Sequence, residues 1–483
     1  MKSILRATAV LSMSSAVLIL CGVVSAKAWA LLLGPSGLGQ MNLLQSLLGL
    51  ASIIAGLGVG TAIVREGAHA IALRDHVGMS ALRRGAWFLF WVSTTVAILI
   101  MTVFRGPISR WAIGGPEHGG KVLVIGLALL FNMAVILETS ILNAYQRVGA
   151  LAKIGIFKGL LGTLIGIVVV WIWRENGIAP ALVAYSASGW FFSHYFLRQT
   201  KMVGNPSRRE ALKAASLLLR FGIPFTASML VGAGVQLALP VLVLRSLGIE
   251  SVGFYAAAAT VALGYVGFLL NSMAQDYYPR VSAASHEPAA LVNLINQQHR
   301  VVMLVAVPMI LGLVALVRYI VPLLYSSQFH PAVELLEWQL IGDLLKFSAW
   351  TMSFVVLARS GSTAFFLTEL AGGVTLMLTS WLGMRSFGLA GLGVAFLITS
   401  LVYYLVVIAT VRRTIGFRWT IENKVIISAA LLAALVVRLV PIAGLERLRT
   451  PLALFFATLA GLGSLYVVWK EMRAPKPSEA SSN

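Results

Sequence analysis

Residues 31–65 read LLLGPSGLGQMNLLQSLLGLASIIAGLGVGTAIVR. A turn rich in glycine and proline at 34–39 separates two apolar stretches, and the second carries no charge until Arg65. Apolar runs of this length are typical of bilayer-crossing helices, because lipid offers the backbone N–H and C=O groups no partners and a helix satisfies them internally. The segment therefore predicts two membrane-spanning helices joined by a short turn.

The rest of the chain repeats this pattern. Of its 483 residues, 59% are hydrophobic and 11% are charged, whereas a soluble domain is about half apolar and about a quarter charged. This composition excludes a soluble enzyme, a disordered chain and a disulfide-built secreted domain. The predicted fold class is an all-α integral membrane protein with about 14 transmembrane helices. The apolar runs lie at about 7–32, 39–64, 85–104, 120–143, 150–173, 177–197, 221–246, 251–273, 301–326, 333–357, 362–384, 388–411, 423–443 and 450–469.

Three short segments recur at a nearly constant distance along the chain and indicate an internal repeat. An even number of helices in each repeat makes the two repeats parallel, an arrangement typical of transporters whose substrate path runs between the halves. We therefore predict two parallel six-helix repeats followed by two further helices. The recurring pairs are LGPSGLGQM with LGIESVGFY, in which Gly34 matches Gly248 and Gly39 matches Gly253; AYQRVGALA with LARSGSTAF, in which Arg147 matches Arg359; and NGIAPALVA with FGLAGLGVA.

The repeat divides the chain into predicted domains. They are an N-terminal six-helix lobe with its following cytoplasmic loop at 1–219, a C-terminal six-helix lobe at 220–414, two additional transmembrane helices at 415–472 and a polar tail at 473–483.

The formal net charge is +20. The basic residues stand singly or in small groups between apolar runs, whereas a nucleic-acid-binding protein concentrates them on one soluble face. Sorting the connections by side assigns roughly 24 basic residues to one side and about nine to the other, and the positive-inside rule makes the richer side cytoplasmic. Both termini are then cytoplasmic, and no nucleic acid is expected as a partner.

The N-terminus has a second interpretation. Lys2, Arg6, an apolar core and SAKAWA at 25–30 fit a cleaved signal peptide. The apolar run continues to Leu33, however, and further runs follow, so retention as the first helix is favoured. Cys21 is the single cysteine, which excludes an intrachain disulfide and a cysteine-based metal site.

Three segments carry a resemblance to a known family: residues 31–65, RFGIPFTAS at 220–228, and LGIESVGFYAAAA at 247–259. With the order and lengths of the helices, they make the chain similar to the polysaccharide (O-antigen type) flippases, within the multidrug/oligosaccharidyl-lipid/polysaccharide exporter superfamily. Many of these relatives carry an acidic–basic pair in the seventh helix, where this chain has VQLALPVLVL at 235–244. A mechanism that depends on such a pair is therefore in doubt here.

The resemblance implies a transporter and not an enzyme. Its activity would be the translocation of an undecaprenyl-pyrophosphate-linked oligosaccharide from the cytoplasmic to the outer leaflet of a bacterial inner membrane, for assembly of lipopolysaccharide O-antigen or exopolysaccharide. The implied partners are the lipid-linked oligosaccharide, the bilayer, and a polysaccharide polymerase and chain-length regulator. One alternative is a cation antiporter of the multidrug/toxin-extrusion type, which would need an acidic cavity. A membrane-embedded glycan ligase or polymerase is a further alternative and would need a large external loop.

Charged side chains inside a membrane are costly and normally face a cavity or a partner. A phosphate-bearing substrate needs cations, and we expect Lys27, Arg65 and Arg280 to line a cavity between the halves. Asn42, Gln45 and Asn271 could contact sugar hydroxyls. The alternatives are positive-inside anchoring for the two arginines and polar packing between helices for the amides.

Other intramembrane charges are candidates for ion coupling. Glu138 and Glu369 have no basic neighbour in sequence and could carry a proton, or could pair with Lys158 or Lys346 across helices. Asp343 and Lys346 are three positions apart on one helix face and could neutralise each other, and Arg318 is expected to extend to the interface. No cofactor is expected, and the driving force is left open between a proton gradient, a sodium gradient and the gradient of the sugar-lipid alone. The histidines show no metal-binding spacing and no nucleotide-binding loop is present.

Overall fold

The structure is a computed structural model that describes residues 2–200, 204, 206–440 and 444–473. The predicted tail beyond Arg473 lies outside these residues. Within the helices, the side chains described are those other than 2–16, 263, 265, 266, 268, 269, 271, 272, 275, 278, 360–365 and 471–473.

The described part of the chain contains helices, turns and no strand, which confirms the all-α prediction. Each predicted apolar run lies largely inside a helix. The helices are α1 (Lys2–Gly56), α2 (Val59–Ala72), α3 (His76–Val103), α4 (Arg105–Ala112), α5 (Gly119–Ala144), α6 (Val148–Trp173), α7 (Ile178–Arg198), α8 (Arg208–Leu247), α9 (Ile249–Ala283), α10 (Pro288–Leu324), α11 (Pro331–Phe387), α12 (Ala390–Ile415), α13 (Ile421–Leu439) and α14 (Glu446–Arg473).

The boundaries differ from the sequence prediction in specific places. The first two predicted runs meet inside α1 at Gly34, whose φ of 67° and ψ of −167° lie outside the helical region and are open only to glycine. The second run is interrupted at Leu57 and Gly58, both with positive φ, so that it ends in a separate helix, α2. The short helix α4 was not predicted. Within the described residues, nine segments are long and apolar enough to cross a membrane. Val148–Arg198 contains two of the predicted runs, and Val17–Gly56 covers parts of two.

Contacts divide the chain into two compact units. The first unit consists of Met1–Ala257 with Leu324–Phe329, and the second of Ala258–Leu323 with His330–Asn483. Helix α8 runs without interruption from Arg208 to Leu247, across the boundary at 219/220 that the repeats suggest. The predicted lobes are defined by similar sequence segments, whereas the two units are defined by contacts within the structure. The division into repeated lobes stays a prediction.

The first unit has a continuous apolar core formed by α1, α2, α3, α5, α6, α7 and α8. Close approach depends on glycine at a few places. A Cβ built on Gly58 would overlap the backbone of Gly222, and one built on Gly222 would overlap the carbonyl oxygen of Leu57. The break between α1 and α2 is therefore held directly against α8, because neither glycine has a side chain to separate the backbones.

In the second unit, an ionic cluster attaches the last two helices to α10 and α11. Its centre is Glu337, which is 4% exposed and contacts three arginines. Arg318, which the sequence predicts to extend to the interface, takes part in this cluster, with its Nη1 2.8 Å from Glu446 Oε1. Equal numbers of arginines and glutamates keep the group neutral, which offsets the cost of removing the charges from water. The ionic cluster comprises Arg318, Glu334, Glu337, Arg438, Glu446 and Arg449.

Candidate functional site

Arg65 is the best-defined cation of the first unit. Its guanidinium lies 4.6 Å from the centre of the Phe221 ring on α8, and its Nε is 3.6 Å from Glu66 Oε1. The side chain is nevertheless 63% exposed. Stacking on an aromatic face orients the planar guanidinium and leaves its N–H groups open to a phosphate. Sequence reasoning named Arg65 but missed Phe221, because their approach depends on how α2 and α8 pack.

A cavity of about 170 Å³ lies one helical turn from Arg65, between the end of α1, α2, α3, α5 and α8. Thr61 of α2 lines it and precedes Arg65 by four residues, while Phe225 of α8 lines it and stacks on Phe221. Residues four apart share a helix face. Both helices therefore place Arg65 next to the cavity. Sequence reasoning did not identify this cavity, since its wall comes from five separate helix segments.

The cavity wall is mainly apolar and carries a few hydroxyl groups. Ser52 accepts a hydrogen bond from Asn132 Nδ2 at 2.9 Å and donates to the carbonyl of Leu48. The Thr226 hydroxyl is buried and has no hydrogen-bond partner among the described residues. An apolar surface with a small number of oriented polar groups is typical of sites that bind organic molecules. The remaining hydroxyls on the wall belong to Thr61 and Ser93.

Lys27 also belongs to the first unit and is half-buried on α1. Its neighbours Ser25 and Trp29 face α6: the Ser25 hydroxyl is 3.2 Å from Thr163 Oγ1, and the Trp29 ring lies beside Gly166. Positions two apart point to opposite sides of a helix. Lys27 is therefore turned away from α6. Its assignment to a substrate cavity remains a prediction.

The predicted amide ligands have different environments. Asn42 has a buried Oδ1 without a hydrogen-bond partner among the described residues, whereas Gln45 is exposed. The neighbouring Gln40 accepts a hydrogen bond from Lys121 Nζ at 2.6 Å, a contact that sequence reasoning missed. An unpaired buried carbonyl oxygen is costly, so Asn42 is the better candidate to accept a bond from a hydroxyl group. The side chain of Asn271 lies outside the described residues.

Arg280 differs from its predicted counterpart Arg65. It belongs to the second unit and lies 3.2 Å from Asp276 Oδ2, one helical turn earlier on α9. Both side chains are largely exposed. An exposed pair at this spacing contributes little stability. Both arginines have an adjacent carboxylate, but of the two only Arg65 also lies over a described aromatic ring that orients its guanidinium. Arg65 is therefore the better candidate for binding phosphate.

Glu138 has partners other than the lysines suggested by the sequence. It is fully buried on α5 and accepts a hydrogen bond from Ser193 Oγ at 2.5 Å. Its other oxygen is 2.8 Å from His194 Nδ1, and the His194 ring stacks on Trp190 and is 35% exposed. The group joins a buried carboxylate to a half-exposed imidazole. The sequence showed only a lone histidine on an apolar helix, with no signal that it would face Glu138.

The other coupling candidates are dispersed over both units. Lys158 Nζ lies 4.7 Å from the Tyr185 ring centre, and Lys346 Nζ lies 5.4 Å from that of Phe396. Glu369 is exposed and accepts a hydrogen bond from the Tyr403 hydroxyl at 2.7 Å. Asp343 is buried, and its pairing with Lys346 stays a prediction. In the described part of the chain, no three His, Cys, Asp or Glu side chains converge as metal ligands.

The second unit contains an apolar groove of about 550 Å³ between α10, α13 and α14. Its wall includes Met303, Leu311, Ala433, Leu459 and Val467. Small residues of α13 and α14 keep the groove open. A surface of this kind suits a hydrocarbon chain.

Comparisons with known proteins agree with this description. A profile of the family described as polysaccharide biosynthesis protein matches residues 29–334. The chain is 23% identical over 422 residues to the lipid III flippase of Escherichia coli (strain K12), covering 83% of this chain and 96% of that protein. The lipid III flippase of Shigella flexneri matches to the same extent.

Two solved structures show the same fold. The lipid II flippase MurJ in its inward closed conformation aligns with a TM-score of 0.74 and 12% identity, over 96% of this chain and 99% of that chain. An inward-facing multidrug resistance MATE family transporter of the MOP superfamily aligns with a TM-score of 0.67 and 18% identity, over 83% and 94%. The resemblance found from the sequence is therefore confirmed. The relatives are flippases and transporters, and the chain is a multi-pass membrane protein.

Proposed function

The chain belongs to the polysaccharide biosynthesis protein family, and we propose that it flips a lipid-linked oligosaccharide across a membrane. The matching relatives include a lipid III flippase over most of its length and, in fold, a lipid II flippase. In the more specific form of the proposal, the substrate is an undecaprenyl-pyrophosphate-linked oligosaccharide. It moves from the cytoplasmic to the outer leaflet of a bacterial inner membrane, for assembly of O-antigen or exopolysaccharide.

One observation carries this proposal: the exposed Arg65 guanidinium stacks on Phe221 next to a cavity with hydroxyl groups on its wall. A lipid-linked sugar combines an anionic phosphate with a polar glycan. A guanidinium holds phosphate oxygens by charge-assisted hydrogen bonds, and the unpartnered Thr226 hydroxyl offers a group for a sugar. The first unit thus provides both kinds of recognition within a helical turn of each other.

Lys27, Asn42 and Gln45 are proposed as further contacts to the head group.

We further propose that transport is coupled to proton movement through Glu138 and His194. The half-exposed His194 ring connects the buried Glu138 carboxylate, 2.8 Å away, to the surface and offers a proton a route to it. Protonation of Glu138 would remove its negative charge, weaken its contact with His194 and change how tightly α5 and α7 are held together. Such an element links ion binding to the alternating access expected of two repeated halves.

A cation antiporter is the alternative, since a MATE transporter has the same fold. That function requires carboxylates exposed to the substrate path. Glu138 is buried and paired, and the cavity beside Arg65 has no carboxylate on its wall, all of which lies in the described part of the chain. The charge at this site therefore favours an anionic substrate.

The test is a flipping assay in vesicles that contain the purified full-length protein and a fluorescent undecaprenyl-pyrophosphate-linked sugar. We expect the wild type to accelerate transfer between leaflets and Arg65→Gln to slow it by about tenfold, the loss of one charge-assisted contact. Arg209→Gln, which removes an exposed arginine near the start of α8, serves as the matched control. Export of a cationic dye without any lipid flipping would overturn the proposal.

A further inference from the structure

A second polar cavity lies in the first unit and shares no wall residue with the cavity beside Arg65, although its α7 wall begins two residues after His194. It has a volume of about 720 Å³ and is formed by the α5–α6 connection together with the last turn of α7. The polar residues on its wall are Asn143, Gln146, Arg147, Lys153, Gln199 and Thr200. All of these side chains can donate hydrogen bonds. The wall, which lies wholly within the described residues, contains no carboxylate.

The two basic side chains of this cavity are not neutralised by a described carboxylate. Neither Arg147 nor Lys153 forms an ion pair with a described residue. Lys153 Nζ lies 5.9 Å from the centre of the Phe196 ring, which holds it on the α7 side of the cavity. Arg147 stands at the beginning of α6, a helix of 26 residues, where the helix dipole adds positive potential. The cavity is therefore electropositive and suited to an anion.

An apolar surface continues directly from this cavity into the membrane. Phe157 follows Lys153 by one turn of α6, and Phe192 precedes Phe196 by one turn of α7. The Phe157 and Phe192 rings stack at 5.0 Å. Phe157 is 40% exposed, and Leu160 and Leu164 on the same helix are more exposed than that. The cations thus lie near the helix ends with an exposed apolar face next to them. If α6 and α7 cross the bilayer, lipid head groups lie near these helix ends.

We propose that this cavity binds the phosphate head group of an anionic membrane phospholipid, with an acyl chain lying along Phe157 and Phe192. Basic pockets between helices at a membrane interface recognise anionic head groups. The apolar face beneath the cations distinguishes a lipid from a soluble anion, which would have no use for it. The bound lipid would link α6 to α7 and to the α5–α6 connection. This role does not depend on which substrate the protein transports.

The test measures thermal unfolding of the purified full-length protein in detergent at increasing concentrations of phosphatidylglycerol. The comparison ligands are phosphatidylcholine with the same acyl chains and inorganic phosphate. Phosphatidylglycerol should raise the Tm of the wild type, and the other two should not. In the double variant Arg147→Gln/Lys153→Gln, the apparent affinity for phosphatidylglycerol should fall by about thirtyfold, as expected for two basic residues near a lipid surface.

The matched control is Arg209→Gln/Lys213→Gln, which removes the same two charges from exposed positions on α8 and should respond like the wild type. If the double variant is unstable without added lipid, Lys153→Gln alone takes its place, because its side chain is exposed. An equal response of site and control variants would overturn the proposal. So would stabilisation by inorganic phosphate as strong as that by phosphatidylglycerol. Displacement of phosphatidylglycerol by equimolar undecaprenyl pyrophosphate would assign the cavity to a transported lipid and would overturn it as well.

Discussion

Gly39 and Gly253, which the sequence comparison matches at a distance of 214 positions, face each other across the contact between α1 and α9. A Cβ on Gly39 would overlap the carbonyl oxygen of Ile249, and a Cβ on Gly253 would overlap that of Pro35. One glycine of the matched pair therefore lies on each side of this close approach of two backbones, and neither position leaves room for a side chain. The internal repeat itself stays a prediction.

The first prediction concerns this contact. Gly39→Ala should lower the free energy of unfolding by about 1–3 kcal/mol, because the added methyl group meets a backbone oxygen that no rotamer change can move. Thermal unfolding in detergent measures the effect. Gly49→Ala is the control, since it lies on the same helix and a Cβ there has nothing within 4 Å. Equal Tm values for the two variants would show that α1 and α9 are not in close contact.

The second prediction tests whether the Phe221 ring positions the Arg65 guanidinium. Phe221→Leu removes the ring over which the guanidinium lies and should slow flipping by about two- to fivefold, since an exposed cation–π contact contributes about 0.5–1 kcal/mol. Phe221→Tyr keeps the ring and should retain the rate. The vesicle assay with the labelled lipid-linked sugar reports both. A full rate for Phe221→Leu would mean that stacking does not position Arg65.

The third prediction concerns Glu138 and His194. Glu138→Gln keeps the shape of the side chain but removes its charge, so an imposed pH gradient should no longer change the rate of flipping. His194→Gln should show the same insensitivity, because it removes the half-exposed member of the pair. Glu369→Gln, at an exposed carboxylate hydrogen-bonded to Tyr403, is the comparison and should keep the response. Flipping of the Glu138→Gln protein that still follows the gradient would contradict the coupling proposal.

The fourth prediction concerns the ionic cluster of the second unit. Glu337→Gln leaves three arginines around a neutral side chain and should destabilise the protein by about 3–5 kcal/mol, the usual cost of an uncompensated buried charge. Adding Arg449→Met to the Glu337→Gln protein should restore part of the lost stability, since it removes the buried cation that faces position 337. The Tm values of the two variants, compared with Glu422→Gln at an exposed ion pair, measure this. A Glu337→Gln protein as stable as the Glu422→Gln protein would contradict the prediction.

The positions of the helices followed from the sequence, and so did the family. Apolar runs of sufficient length can form little else in lipid, and the runs at 120–143 and 150–173 lie within α5 and α6. The helix boundaries that differ from the sequence prediction have local causes. The break at Leu57 and Gly58 lies inside an uninterrupted apolar run, and only its packing against Gly222 reveals it.

Only part of the candidate site could be predicted from the sequence. Glu138 was identified because a charge inside an apolar segment needs a reason, and Arg65 because a cation at a helix end could hold a phosphate. Their partners Phe221 and His194 lie about 156 and 56 positions away and carry no unusual signal of their own. The partners of Arg318, Glu337 and Glu446, were not predicted either, because they belong to other helices.

The sequence by itself determined that this protein is a bundle of membrane-spanning helices, because hydrophobicity and helix length act locally and the bilayer leaves the backbone one solution. Tertiary structure alone decided which charges meet: Glu138 with His194, Arg65 over Phe221, and Arg449 with Glu337. Such pairs depend on which face each helix turns toward its neighbours. That orientation is set by the packing of several helices together and not by the residues of any one of them.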